Sequence, residues 1–289
     1  MRWRGERQSD NVEDRRGMRV SRGVKVGGIS GLGLVAIVVV SLLLGVDPTI
    51  VLQQVGQSLP SSTTIEESAQ PTANNDMRNF VAVVLAETED VWNEQFNNAG
   101  RTYQEPKLVL FSGAVDSACG FAQSAMGPFY CPADHKIYLD LEFFNELHSR
   151  FGASGDFAQA YVIAHEIGHH VQTQLGIIQK VAQLQARSSK AQANKLSVLM
   201  ELQADCLAGM WAYQASKKRD ILEEGDIEEA INAASAVGDD RIQKKTRGYV
   251  VPDSFTHGSS AQRVSWFQRG FEQGNFQACD TFNANQTNK

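Results

Sequence analysis

YVIAHEIGHH, residues 161–170, follows an apolar helical pattern and holds His165, Glu166 and His169 in the order H-E-x-x-H. On an α-helix, positions i and i+4 share a face about one turn apart, so the two imidazoles can meet one metal ion. Glu166 lies about 100° around the helix from His165, close to such a metal but off the ligand axis. A carboxylate there can take a proton from water. Zinc, one ion per chain, is the expected cofactor, because two histidines and a carboxylate with one open position form a catalytic zinc set. A chance H-E-x-x-H arises in roughly 1% of chains of this length, so the surrounding sequence has to support it.

The third ligand must come from farther along the chain. A glycine three residues and a histidine six residues beyond His169 would extend the motif locally, but Gln172 and Leu175 stand there. Glu201 is the best candidate, in the helical pattern MELQADCLAGMWAY, with Asp205 four residues later on the same face. Asp205 can then accept the free N–H of a ligating histidine and so fix its tautomer. Taken alone, Glu201 and Asp205 also fit a solvated helix face. Their apolar neighbours Leu199, Leu202, Ala204 and Leu207 favour the metal site.

His165-Glu166-x-x-His169 followed by Glu201-x-x-Ala204-Asp205 resembles the pattern of gluzincin metallopeptidases. Further segments extend the likeness: RWRGERQSDNVEDRRG, SACGFAQSAMGPFYCP, ELQADCLAG, GDIEEAINAASAVGDDRIQ and SFTHGSSAQRVSWFQRGF. Together they resemble the bacterial family called "putative neutral zinc metallopeptidase". The resemblance implies a membrane-anchored α+β protein with a zincin-like fold, a small sheet beside active-site helices, acting as an endopeptidase on peptide or protein substrates. It also implies that His257, in a loop before a helix, stabilises the oxyanion of the tetrahedral intermediate with Arg263 in support. A lone loop histidine has an equally ordinary structural reading. By the same likeness KIYLDL, residues 136–141, is an edge strand that pairs with extended peptide, although a plain core strand fits it as well. A different class of reading keeps the metal but drops hydrolysis, leaving a membrane-tethered zinc-binding scaffold or chaperone-like protein. Glu166 argues against that, because a structural site needs no general base.

Charge is unevenly spread. Residues 1–46 hold eight basic residues (Arg2, Arg4, Arg7, Arg15, Arg16, Arg19, Arg22, Lys25) against four acids, whereas the rest holds 19 basic and 29 acidic residues. Such an acidic body is no partner for nucleic acid. Residues 26–46, VGGISGLGLVAIVVVSLLLGV, carry no charge and reach the ~20 residues of a transmembrane helix. The positive-inside rule then places residues 1–25 as a basic cytoplasmic leader in a bacterial inner membrane, with everything after Asp47 periplasmic or extracellular. Gly27 and Gly31 have a spacing that can pair membrane helices into a homodimer. Residues 47–75 read as a tether and 76–289 as one α+β domain.

Within that domain, patterning predicts a helix capped by Asp76, strands over 107–112 and 136–141, and helices over 156–175, 178–218, 226–246 and 260–273. The polar stretch 176–196 reads as a lid or a solvated connector, and His170 as a packing residue. All four cysteines fall in the expected outer part, where disulfides persist. Of the three possible pairings, Cys119–Cys131 closes a short loop and Cys206–Cys279 ties the C-terminus to a helix. These two are favoured over buried free thiols.

Overall fold

The computed structural model describes residues 1–18 and 72–283. At its centre the expected active helix runs Asp156–Gln174, with Phe157, Tyr161, Ile163, Ala164, Ile167 and Val171 all fully buried. It is covered on nearly every side, which explains an apolar pattern wider than one face. Burying each large side chain of this kind contributes about 1.5–3 kcal/mol.

A four-stranded sheet flanks this helix. In chain order its strands are β1 (Val12–Asp14), β2 (Lys107–Phe111), β5 (Phe129–Cys131) and β6 (Lys136–Asp140), arranged β1-β2-β6-β5. β1 and β6 run parallel to β2, and β5 runs antiparallel to β6. β3 (Ala114–Ser117) and β4 (Gly120–Gln123) form a separate hairpin. The KIYLDL strand is therefore an inner strand, correcting its expected edge position, and short β5 takes the edge. Ile137, Tyr138 and Leu139 are all about 1% exposed, as befits a strand with neighbours on both sides.

Eight α-helices complete the described residues: α1 (Thr72–Asn98), α2 (Glu142–Ser149), α3 (Asp156–Gln174), α4 (Ile177–Gln185), α5 (Lys190–Arg219), α6 (Asp226–Ala236), α7 (Asp239–Arg247) and α8 (Ser260–Gln273). α1 starts four residues before the expected cap at Asp76. The expected helix 178–218 is two helices, because Ser189 caps α5 with a reciprocal Ser189–Gln192 box. The expected 226–246 helix also breaks, at extended Gly238. A Cβ there would lie 2.4 Å from the Ser260 nitrogen. α5 and α8 cross in backbone contact, since a Cβ on Gly270 would sit 1.9 Å from the Cys206 carbonyl. That crossing delivers Arg263 to the centre of the molecule. Both expected disulfides are formed, Cys119–Cys131 and Cys206–Cys279.

Residues 1–18, the described part of the expected leader 1–25, belong to the same compact unit as the residues from Thr72 onward. β1 pairs with β2, Trp3 packs edge-on against Phe80, and Met1 is buried. Three of the eight leader bases have acidic partners beyond the leader, Arg2 with Asp220, Arg4 with Asp76 and Arg7 with Glu89 and Asp90, and two pair within it, Arg15 with Glu13 and Arg16 with Asp14. The expected membrane segment 26–46, its Gly27 and Gly31, and most of the tether lie outside the described residues. Among the described residues no helix is long and apolar enough to cross a membrane.

Candidate metal centre

α3 and α5 approach each other at Gly168, where a Cβ would lie 3.1 Å from Ala204 Cα. This contact sets the two histidines of α3 opposite the glutamate of α5. His165 Nε2 lies 3.2 Å from Glu201 Oε2, and His169 Nε2 lies 3.5 Å from Glu201 Oε1. Their potential ligand atoms all fall within 4.8 Å of one another. Zinc–ligand bonds of ~2.0–2.1 Å in a tetrahedron separate donors by about 3.3 Å, so this trio fits such an ion.

The outward nitrogens are engaged. His165 Nδ1 lies 2.9 Å from Asp205 Oδ1, in the place expected of a tautomer-fixing carboxylate. His169 Nδ1 lies 2.9 Å from Gln172 Oε1. Each ring is thus left with Nε2 facing Glu201. Asp205 is fully buried and receives two further donors, Arg263 (Nε at 2.8 Å, Nη2 at 2.9 Å) and the Tyr161 hydroxyl at 2.6 Å. Arg263 therefore grips Asp205, which in turn meets His165.

Electrostatics follow from this packing. Burial opposes charge on Asp205, yet Arg263 and His165 hold its carboxyl down to about 2. Burial likewise opposes charge on His165, but Asp205 and Glu201 push it up to about 10 in the metal-free protein. Glu201 stays well below the usual carboxylate range against its burial, because both imidazoles face it. Glu166, 8% exposed, is pushed up by burial and receives a hydrogen bond from the Tyr130 backbone N–H on β5. A carboxyl raised in this way is better matched to proton transfer near neutral pH.

These groups open onto a cleft of about 570 Å³, lined by the metal trio, Glu166 and His257 and walled by Phe129, Phe143, Phe151, Val162 and Ile242. His257 sits on the rim with its side chain 54% exposed, and its ring nitrogen lies 3.3 Å from Asp239 Oδ1. That partner raises its pKa above the ordinary histidine value. His170 faces away from the metal trio; its Nε2 lies 2.6 Å from the Gln104 carbonyl and its Nδ1 3.1 Å from the Tyr130 hydroxyl. Burial pulls it down to about 4. Sequence reasoning missed Tyr161, Gln172 and Tyr130. The first two carried a signal, lying four residues before His165 and three after His169, on faces shared with the ligands.

The model of the family described as "Putative neutral zinc metallopeptidase" matches residues 1–282. The chain belongs to that family. Relatives of this chain include the protein named "Uncharacterized protein YpfJ" of Escherichia coli (strain K12), 51% identical over 290 residues, 98% of this chain and 99% of that protein. Another is "Uncharacterized protein Rv2575" of Mycobacterium tuberculosis (strain H37Rv), 42% identical over 257 residues, 84% of this chain and 85% of that protein. No solved structure matches the chain.

Proposed function

We propose that the protein is a zinc-dependent endopeptidase of zincin-like fold that cleaves peptide bonds in peptides or proteins. The observation that carries this reading is the convergence of His165, His169 and Glu201 at tetrahedral donor spacing, with Glu166 beside them in an apolar-walled cleft. Zinc held by those three residues supplies Lewis acidity, polarising the scissile carbonyl and acidifying water. Glu166 takes the proton of the attacking water and returns it to the leaving amine. Its raised pKa suits both transfers. His257, on the rim and biased toward its protonated form by Asp239, donates to the oxyanion. The open edge of β5 pairs with extended substrate through main-chain hydrogen bonds, and Phe143 and Phe151 receive its apolar side chains. The two disulfides support residence of the body in an oxidising compartment.

Metal analysis and hydrolysis of quenched peptides by the full-length chain test this reading. About one zinc per chain is expected, with turnover abolished and zinc retained in Glu166→Gln. Tightly bound zinc with no hydrolysis of any peptide library would leave the scaffold function instead.

A further inference from the structure

The two histidines of the metal centre are supported by different chemistry. His165 leans on a carboxylate, whereas His169 meets a chain of neutral amides. Gln172 Oε1 lies 2.9 Å from His169 Nδ1, and Gln172 Nε2 donates to the Met200 carbonyl at 2.7 Å and to Gln203 Oε1 at 3.1 Å. Gln203 Nε2 then donates to the Cys279 carbonyl at 2.9 Å. Gln172 and Gln203 are 0% and 7% exposed, so their polar atoms depend on these partners.

A backbone carbonyl can only accept, and this fixes the direction of the whole chain. Gln203 must turn its NH₂ toward Cys279, which leaves its oxygen to accept from Gln172. Gln172 must turn its NH₂ toward Met200 and Gln203, which leaves its oxygen facing His169. The proton of the neutral imidazole is thereby held on Nδ1, and the lone pair of Nε2 is directed at Glu201. The far end of the relay is fastened independently: Cys279 is bonded to Cys206, and the Thr281 hydroxyl donates to the Leu199 carbonyl at 2.7 Å. Leu199, Gln203 and Cys206 form one stripe of α5 facing the C-terminal segment, while Glu201 and Asp205 face the metal centre.

We propose that Gln172 and Gln203 are positioning residues that set the tautomer of His169, and that residues 276–281, pinned by the Cys206–Cys279 disulfide, fix the polarity of this relay. The inference rests on His169 being a metal ligand. Removal of such an outer partner weakens metal binding about 10- to 100-fold.

The test is zinc affinity of the full-length chain by chelator competition, with the absorption spectrum of the cobalt-substituted protein as a second readout. Gln172→Leu and Gln203→Leu are expected to weaken zinc about 10-fold and to alter the cobalt spectrum. The Cys206→Ser/Cys279→Ser pair should loosen zinc in the same direction as the leucine variants. Gln214→Met removes the amide that donates to the Gly274 carbonyl at 2.7 Å, outside the relay and before residues 276–281, so it should lower thermal stability and leave zinc affinity unchanged. Parent-like affinity and spectra in both leucine variants, or equal loss in Gln214→Met, would overturn the proposal. Zinc bound without peptide turnover would instead sink the peptidase function and leave the relay standing.

Discussion

Helix α3 carries two clusters of potential cation ligands, one in its first turn and one in its middle, and their donors differ. In the first turn Asp156 joins Asp226 and Glu229, an all-oxygen set. The Met1 amino nitrogen sits there, 2.8 Å from Asp156, 2.9 Å from Glu223 and 3.1 Å from Asp226. In the middle, two imidazoles and one carboxylate converge. Carboxylates alone suit an ammonium or a hard cation, whereas the mixed nitrogen and oxygen set suits zinc. Burial of acids near one another is therefore a poor guide to a catalytic metal; the donor type and the outer partners discriminate. In the mixed set, each imidazole nitrogen that faces away from Glu201 has a fixed partner.

The sharpest break of this contrast is Glu201→Ala, expected to weaken zinc more than about 100-fold and to bring turnover to background, read by metal analysis after dialysis. Asp205→Asn ranks next. It leaves the buried Arg263 guanidinium without its carboxylate, with an expected loss of about 3 kcal/mol in denaturant unfolding. Zinc affinity should also fall about 10- to 100-fold. At the other cluster, Asp226→Asn should leave one zinc per chain intact while lowering stability by about 1–3 kcal/mol; loss of zinc there would erase the distinction between the clusters.

The first cluster also has a pH signature. Burial disfavours the Met1 ammonium, but Asp156, Glu223 and Asp226 outweigh it and raise its pKa from 8.0 to about 10. A raised folded pKa means stability fully present below pH 8 and lost as pH climbs through 10. Urea midpoints measured from pH 8 to 10 should fall, and fall less in Asp226→Asn. The smallest expected effect is at the rim: Asp239→Asn should return the His257 pKa toward 6.5, observed by NMR titration of its ring proton.

Much of the candidate metal centre could be read in the sequence because it is local. His165, Glu166 and His169 lie within five residues of one helix, and Glu201 and Asp205 repeat the same i, i+4 spacing in another. Ser189 and Gln192 spelled a capping box in the sequence that reading 178–218 as one helix passed over. Arg263 and Asp239 reach their partners only through the crossing of α8 and the break at Gly238, and no spacing encodes either. β1 is three residues long and pairs with a strand about 95 residues away, too short for any period to register. Charge counting does not reveal ion pairs either: Arg2, Arg4 and Arg7 meet Asp220, Asp76 and Glu89, all far along the chain.

β1 has a topological consequence. A strand hydrogen-bonded within a sheet shares that sheet's side of any bilayer, so Val12–Asp14 lies in whichever compartment holds Lys107–Phe111 and, through it, Lys136–Asp140.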